Sequence, residues 1–157
     1  AIDETSAEIS VSDMPVIRGD KSQLEQLFLN LISNALKFQS EGVTPAVNIN
    51  AEKATESDTH DILMADEYDW IKITVKDNGI GFEQSFAEKI FAPFQRLHGR
   101  SEYKGTGIGL AVCRRIVERH NGQITALSSP GQGATFSIIM PVESDPFGSN
   151  NNNGETQ

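Results

Sequence analysis

Four polar side chains, Gln26, Asn30, Asn34 and Lys37, follow one another at spacings of 4, 4 and 3 residues. On a helix these spacings stack them in a single stripe. An asparagine carbonyl is a hard oxygen ligand suited to Mg²⁺, which keeps several waters and takes further ligands from phosphate oxygens. A lysine close by can balance phosphate charge. Taken alone, the stripe reads better as the solvated face of an amphipathic helix, a common feature of globular proteins. Two glycine-bearing segments give it more meaning.

In DNGIGF, residues 77–82, Gly79 and Gly81 permit backbone conformations closed to other residues and would let a flat ligand approach the main chain. Asp77 can accept from the exocyclic amine of adenine but repels phosphate, so this turn suits the base end of a nucleotide. An ordinary strand-to-loop turn has the same composition. In GTGIGL, Gly105, Thr106, Gly107, Gly109 and Leu110 lead into a helical pattern, where open backbone amides and a helix N-terminus favour phosphate. The run is not a Walker loop, which needs a following Lys-Ser/Thr. Nor is it clearly a dinucleotide turn, which should follow directly on a strand.

The elements that must position these groups can be read from the pattern. Residues 6–18 alternate around Asp13 and Pro15, which predicts an N-terminal hairpin. Asp20, with Gln23 three positions on, predicts a capped helix to about Gln39, with apolar residues at 24, 27, 28, 31, 32, 35 and 36. AVNINAEKA and DWIKITVKD alternate as strands, separated by a polar loop at 54–68. QSFAEKIFAPF predicts a short helix stopped near Pro93, followed by a mobile glycine-containing segment. Apolar positions 108, 112, 116 and 117 predict a second long helix, ended by Asn121-Gly122 as a left-handed cap. QITALSS and ATFSIIMPV predict strands paired through Pro130-Gly131-Gln132-Gly133. Residues 144–157 are polar and biased, which predicts one domain over 1–143 and a disordered tail or linker beyond it.

With 157 residues, 38% of them hydrophobic, the chain suits one globular domain with a substantial core. Its 13 basic and 22 acidic residues give a net charge of -9, so no global field favours nucleic acid, and a phosphate ligand must be held by local groups. No apolar run approaches the roughly 20 residues of a membrane span, and the N-terminus lacks a secretory pattern, so a cytoplasmic location is expected. Cys113 is the one cysteine, and His60, His98 and His120 are scattered, which argues against a disulfide or a zinc site.

Taken in order, NLISNALKF, DNGIGF, IFAPFQRL, GTGIGL and GQGATF resemble the N, G1, F, G2 and G3 boxes of sensor histidine kinase catalytic domains. The similarity runs from about Ile9 to Val142, and the stretch from Phe91 to Ile124 looks most like phytochrome-type and other PAS-linked kinases. The resemblance implies an α+β fold, a two-layer sandwich of Bergerat type with a mixed, mostly antiparallel sheet and helices on one face. ATP and Mg²⁺ would lie between helices and sheet, under a lid at 94–107.

By the same resemblance Asn34 is the Mg²⁺ ligand, Asn30 its neighbour one turn earlier, and Lys37 a phosphate contact. Asp77 binds the adenine amine, and Gly79 and Gly81 shape the base pocket. Phe91 and Phe94 anchor the lid, and Arg96 approaches the phosphates. Gly105, Gly107 and Gly109 let the lid close over the phosphates, Thr106 and Leu110 join the cofactor site, and Thr135 sits near the adenine. The implied partners are a histidine-containing dimerisation domain of the same kinase and a downstream response regulator. The isolated domain is expected to be monomeric, and the full-length kinase a homodimer, either soluble or membrane-anchored.

Related gyrase, MutL and heat-shock chaperone ATPases carry a glutamate one turn before the metal-binding asparagine, where it activates water. Asn30 stands there instead, and an amide is no general base at neutral pH. Glu25 points roughly 100° or more away from the stripe and is a poor substitute. The alternatives are a stand-alone ATPase and a non-catalytic nucleotide-binding module of the same superfamily. His120 is expected to be a satisfied structural histidine, His98 an exposed or packing residue of the lid, Cys113 core packing, Trp70 a cover for the sheet edge, and the 54–68 loop a tolerated insertion.

Overall fold

The computed structural model describes residues 8–11, 19–39, 42–62, 68–92 and 109–142. Within them run β1 (Glu8–Val11), α1 (Lys21–Lys37), β2 (Ala46–Lys53), the single turn α2 (Glu56–Thr59) and β3 (Asp69–Asp77). Two 3₁₀ turns (Gln84–Phe86 and Lys89–Phe91), α3 (Gly109–Arg119), β4 (Gln123–Ser128) and β5 (Ala134–Val142) follow.

Helix α1 begins where the Asp20 carboxylate accepts the Gln23 amide at 3.0 Å, satisfying a donor that the first turn leaves orphaned. It buries Leu27, Leu31 and Ala35. Helix α3 buries Cys113, Ile116 and Val117, and ends at Asn121, the one described non-glycine residue with positive φ (65°). There the Gly122 amide donates to Val117 O at 2.9 Å and the Asn121 amide to Glu118 O at 3.0 Å, the paired bonds of a Schellman ending.

The five strands lie in the order β1-β2-β3-β5-β4. β1 runs parallel to β2, and every other neighbour is antiparallel. Because side chains alternate along a strand, Ile71, Ile73, Val75 and Asp77 of β3 share one face with Phe136, Ile138 and Met140 of β5. This face and the apolar stripes of α1 and α3 enclose one core. Each fully buried aliphatic side chain there contributes about 1.5–3 kcal/mol relative to exposure. The opposite face carries Lys72, Thr74, Lys76, Thr135 and Ser137, so the architecture is the expected two-layer α+β sandwich, with the two long helices α1 and α3 on one side of the sheet.

β1 pairs with β2, Ile9 opposite Val47, while residues 12–18, which hold most of the expected second hairpin arm, lie outside the described residues. Three expectations need adjustment. The stretch expected as one short helix forms two 3₁₀ turns, because its ends are anchored separately: Gln84 bonds β4, while Ile90 and Phe91 enter the core. The polar loop contains α2, whose Thr55–Asp58 capping box and Asp58–Lys72 ion pair at 3.3 Å tie it to β3. Trp70 is not at the sheet edge but in the central strand, 9% exposed, opposite Pro141 and edge-to-face with Tyr68.

Candidate functional site

β3 ends on Asp77, the one charged side chain buried among the described residues, at 8% exposure. Its Oδ1 accepts the Gly79 amide at 2.8 Å and the Ala134 amide at 3.1 Å. Burial raises the carboxyl above its ordinary value, and these two donors offset only part of that effect. Oδ2 has no partner among the described residues. The carboxylate is therefore oriented through one oxygen and left with acceptor capacity on the other.

The turn after Asp77 packs against two other segments. A Cβ at Gly79 would collide with Phe38 O, one at Gly81 with Ser129 O, and one at Gly133 with Asp77 O. Gly81 (φ 68°) and Gly133 (φ 72°) also adopt left-handed conformations. The missing side chains of Gly79 and Gly81 admit the protein's own carbonyls, and Gly81 takes the left-handed conformation that the sequence reading allowed it. Asn78, to which the sequence reading gave no role, joins three segments. Its Oδ1 accepts from Ala46 N at 2.9 Å and Gln39 Nε2 at 3.0 Å, while its Nδ2 donates to Thr44 O at 3.0 Å. The signal for it was an amide within a glycine turn, a residue type that bonds nearby backbone.

The stripe on α1 reaches this turn through its C-terminal end. Ile80 N donates to Phe38 O at 3.0 Å, and Gln39 links Ala35 O to Asn78. Asn34 is half-buried, and its side-chain amide has no partner among the described residues. Lys37 is exposed, its ammonium 5.9 Å from the Phe38 ring centroid. Asn30 is committed within the protein: its Nδ2 donates to Gly109 O at 3.3 Å and its Oδ1 accepts Gln26 Nε2 at 2.6 Å. The start of α3 is thereby fastened to the row, with Gly109 exposed and Leu110 packed against the core.

Thr135 does not share a face with Asp77. Strand alternation sets Ala134 and Phe136 on the core face and turns Thr135 to the opposite one, paired with Lys76. At Asp77 the donor from this strand is instead the Ala134 backbone. Phe91 is a core residue, edge-to-face with Phe136 at 6.1 Å, with the Arg114 guanidinium 4.5 Å from its ring centroid. Phe94, Arg96, Gly105, Thr106 and Gly107, and with them the expected lid and His98, fall outside the described residues.

His120 is structural, as expected from its place beside a helix cap. Its Nε2 accepts the Asp20 amide at 3.1 Å and its Nδ1 donates to Ile116 O at 2.8 Å, so both ring nitrogens are occupied. Cys113 is fully buried, its thiol pushed up to about 12 by desolvation, which leaves it unreactive. No helix among the described residues is long and apolar enough to cross a membrane.

Comparison with known proteins agrees with this architecture. The chain is 43% identical over 141 residues to the phytochrome-like protein Cph1 of a Synechocystis species, an alignment covering 90% of this chain and 17% of that protein. It is 45% identical to cyanobacterial phytochrome A of a Nostoc species, with the same coverage. It is 40% identical to the adaptive-response sensory kinase SasA of Prochlorococcus marinus, over 83% of this chain and 31% of that one. The chain thus spans well under half the length of these relatives. Among solved structures, the mycobacterial sensor histidine kinase MprB superposes with a TM-score of 0.71 at 22% identity, covering 90% of this chain and 87% of the other. Full-length ShkA, solved in complex with AMPPNP, superposes at 0.67 and 26% identity, covering 92% of this chain and 27% of the other. The family described as histidine kinase-, DNA gyrase B-, and HSP90-like ATPase matches residues 19–144, and the chain belongs to it.

Proposed function

We propose that this domain binds Mg-ATP and donates its γ-phosphoryl group to a histidine on a dimerisation domain of the same sensor kinase. The observation that carries the reading is the Asp77 carboxylate, fixed through Oδ1 and open at Oδ2, at the end of the strand tied to the Asn34-bearing helix. Oδ2 accepts the adenine amine, Asn34 offers its carbonyl to Mg²⁺, and Lys37 balances phosphate charge. The donor set fits such a ligand, because Asp77 Oδ2 and the Asn34 side chain have no partner among the described residues. By the family resemblance Arg96, Phe94 and the glycines at 105 and 107, which lie outside the described residues, would also contribute to the site. Phosphoryl transfer of this kind needs positioning and charge neutralisation more than covalent chemistry from the protein.

Asn30 supports a kinase over a stand-alone ATPase. It is an amide already bonded on both sides, and it can neither take a proton from water nor turn freely toward one. The phosphoryl group is therefore kept for an acceptor histidine, and a response regulator receives it next. The name of one relative, an adaptive-response sensory kinase, supports the same assignment. The parent kinase is taken to be a homodimer whose catalytic domains are cytoplasmic. Incubation with Mg-ATP and a matching dimerisation domain should label that domain's histidine, with slow hydrolysis in its absence. ATP binding without labelling would argue against kinase activity, and fast acceptor-independent turnover would favour the ATPase.

A further inference from the structure

Ser128 joins the two glycine turns around Asp77. Its hydroxyl oxygen accepts the Phe82 amide at 2.9 Å, and the same hydroxyl donates to Gly133 O at 2.6 Å. Gly131 N donates to Ile80 O at 2.7 Å, a second tie between the same turns. Gln84 braces the serine from the other side, donating through Nε2 to Ala126 O at 3.0 Å and accepting Ser128 N at 2.8 Å through Oε1.

The Gly133 carbonyl and the Ala134 amide belong to one peptide unit, which is planar and resists twisting. Ser128 holds the carbonyl end of that plane, and the amide end is the 3.1 Å donor to Asp77 Oδ1. Gly133, at φ 72° and without a side chain, does not fix the plane sterically, so hydrogen bonds must. We propose that Ser128 is a positioning residue of the nucleotide site: by orienting the Gly133–Ala134 peptide it sets the rotation of the Asp77 carboxylate and aims Oδ2 at the base. This rests on the ATP-binding reading given above. Ser128 touches no ligand atom itself, and its effect is on base selectivity more than on phosphate affinity.

The test compares ATP with the triphosphate of purine riboside, which lacks the 6-amino group, by calorimetry on the native protein and on S128A and S128T. The native protein should prefer ATP by about tenfold or more, the value of a hydrogen bond to a charged acceptor. In S128A the ratio falls toward parity, while S128T, which keeps the hydroxyl, retains it. Amide exchange at Ala134, read by NMR without nucleotide, should speed up in S128A alone. An S128A protein with native selectivity and native Ala134 protection overturns the proposal. If the native protein binds no ATP, the functional reading fails, and Ala134 exchange alone then decides whether Ser128 positions the peptide. Should S128A not fold, S128C takes its place, since a thiol donates only weakly.

Discussion

Replacing Asp77 with asparagine separates the carboxylate's role in binding from its role in the fold. The asparagine Oδ1 can accept the same amides of Gly79 and Ala134, now at 2.8 and 3.1 Å, so the turn should survive. In place of Oδ2 stands an NH₂ donor, which would face the adenine amine, also a donor. The variant loses a hydrogen bond to a charged acceptor, worth about 1.5–3 kcal/mol, so Mg-ATP affinity measured by calorimetry should fall by about 10–150-fold. GTP, with a carbonyl at the corresponding ring position, should lose much less.

Stability should move the other way. The folded-state pKa of Asp77 is raised above its ordinary 3.8, so the group favours folding below that value, and the advantage is lost as pH rises through the folded pKa. At neutral pH the buried ionised carboxylate is a cost that the amide removes. Urea unfolding should therefore show the variant at least as stable as the native protein at pH 7, and relatively less so near pH 4. A folded variant that binds ATP as tightly as the native protein would refute the assignment of Asp77 to the base.

Gly133→Ala should lower stability by more than the roughly 1–2 kcal/mol of a left-handed alanine, because its methyl also collides with Asp77 O. Thermal melting reads this directly. Asp20→Ala should cost about 0.5–2 kcal/mol in urea unfolding, through loss of the α1 cap and its bond to Gln23. Cys113, with its thiol at about 12 and fully buried, should resist iodoacetamide at pH 8 in the native state and react once denaturant is added.

Much of the architecture was legible in the residue pattern, because its cues are local. The Asp20 cap, the α1 stripe, the Asn121 ending of α3 and the β4–β5 turn each follow from a few consecutive residues. The unusual character of Asp77 was legible too, as a carboxylate ahead of a glycine turn. The two 3₁₀ turns were not, since the anchors that divide them sit on β4 and in the core, far away in sequence.

What only the tertiary structure decided is which groups meet. Thr135 and Ala134 are adjacent in the chain, yet a strand sends their side chains to opposite faces, and it is a backbone amide that reaches Asp77. Ser128 read only as a strand residue, and Asn78 and Gly133 only as turn residues, because their partners lie on segments brought together by sheet pairing. Composition and spacing determine which elements form and which side chains could do chemistry. The direction of each polar group is set by hydrogen bonds between distant turns, which no short window of sequence contains.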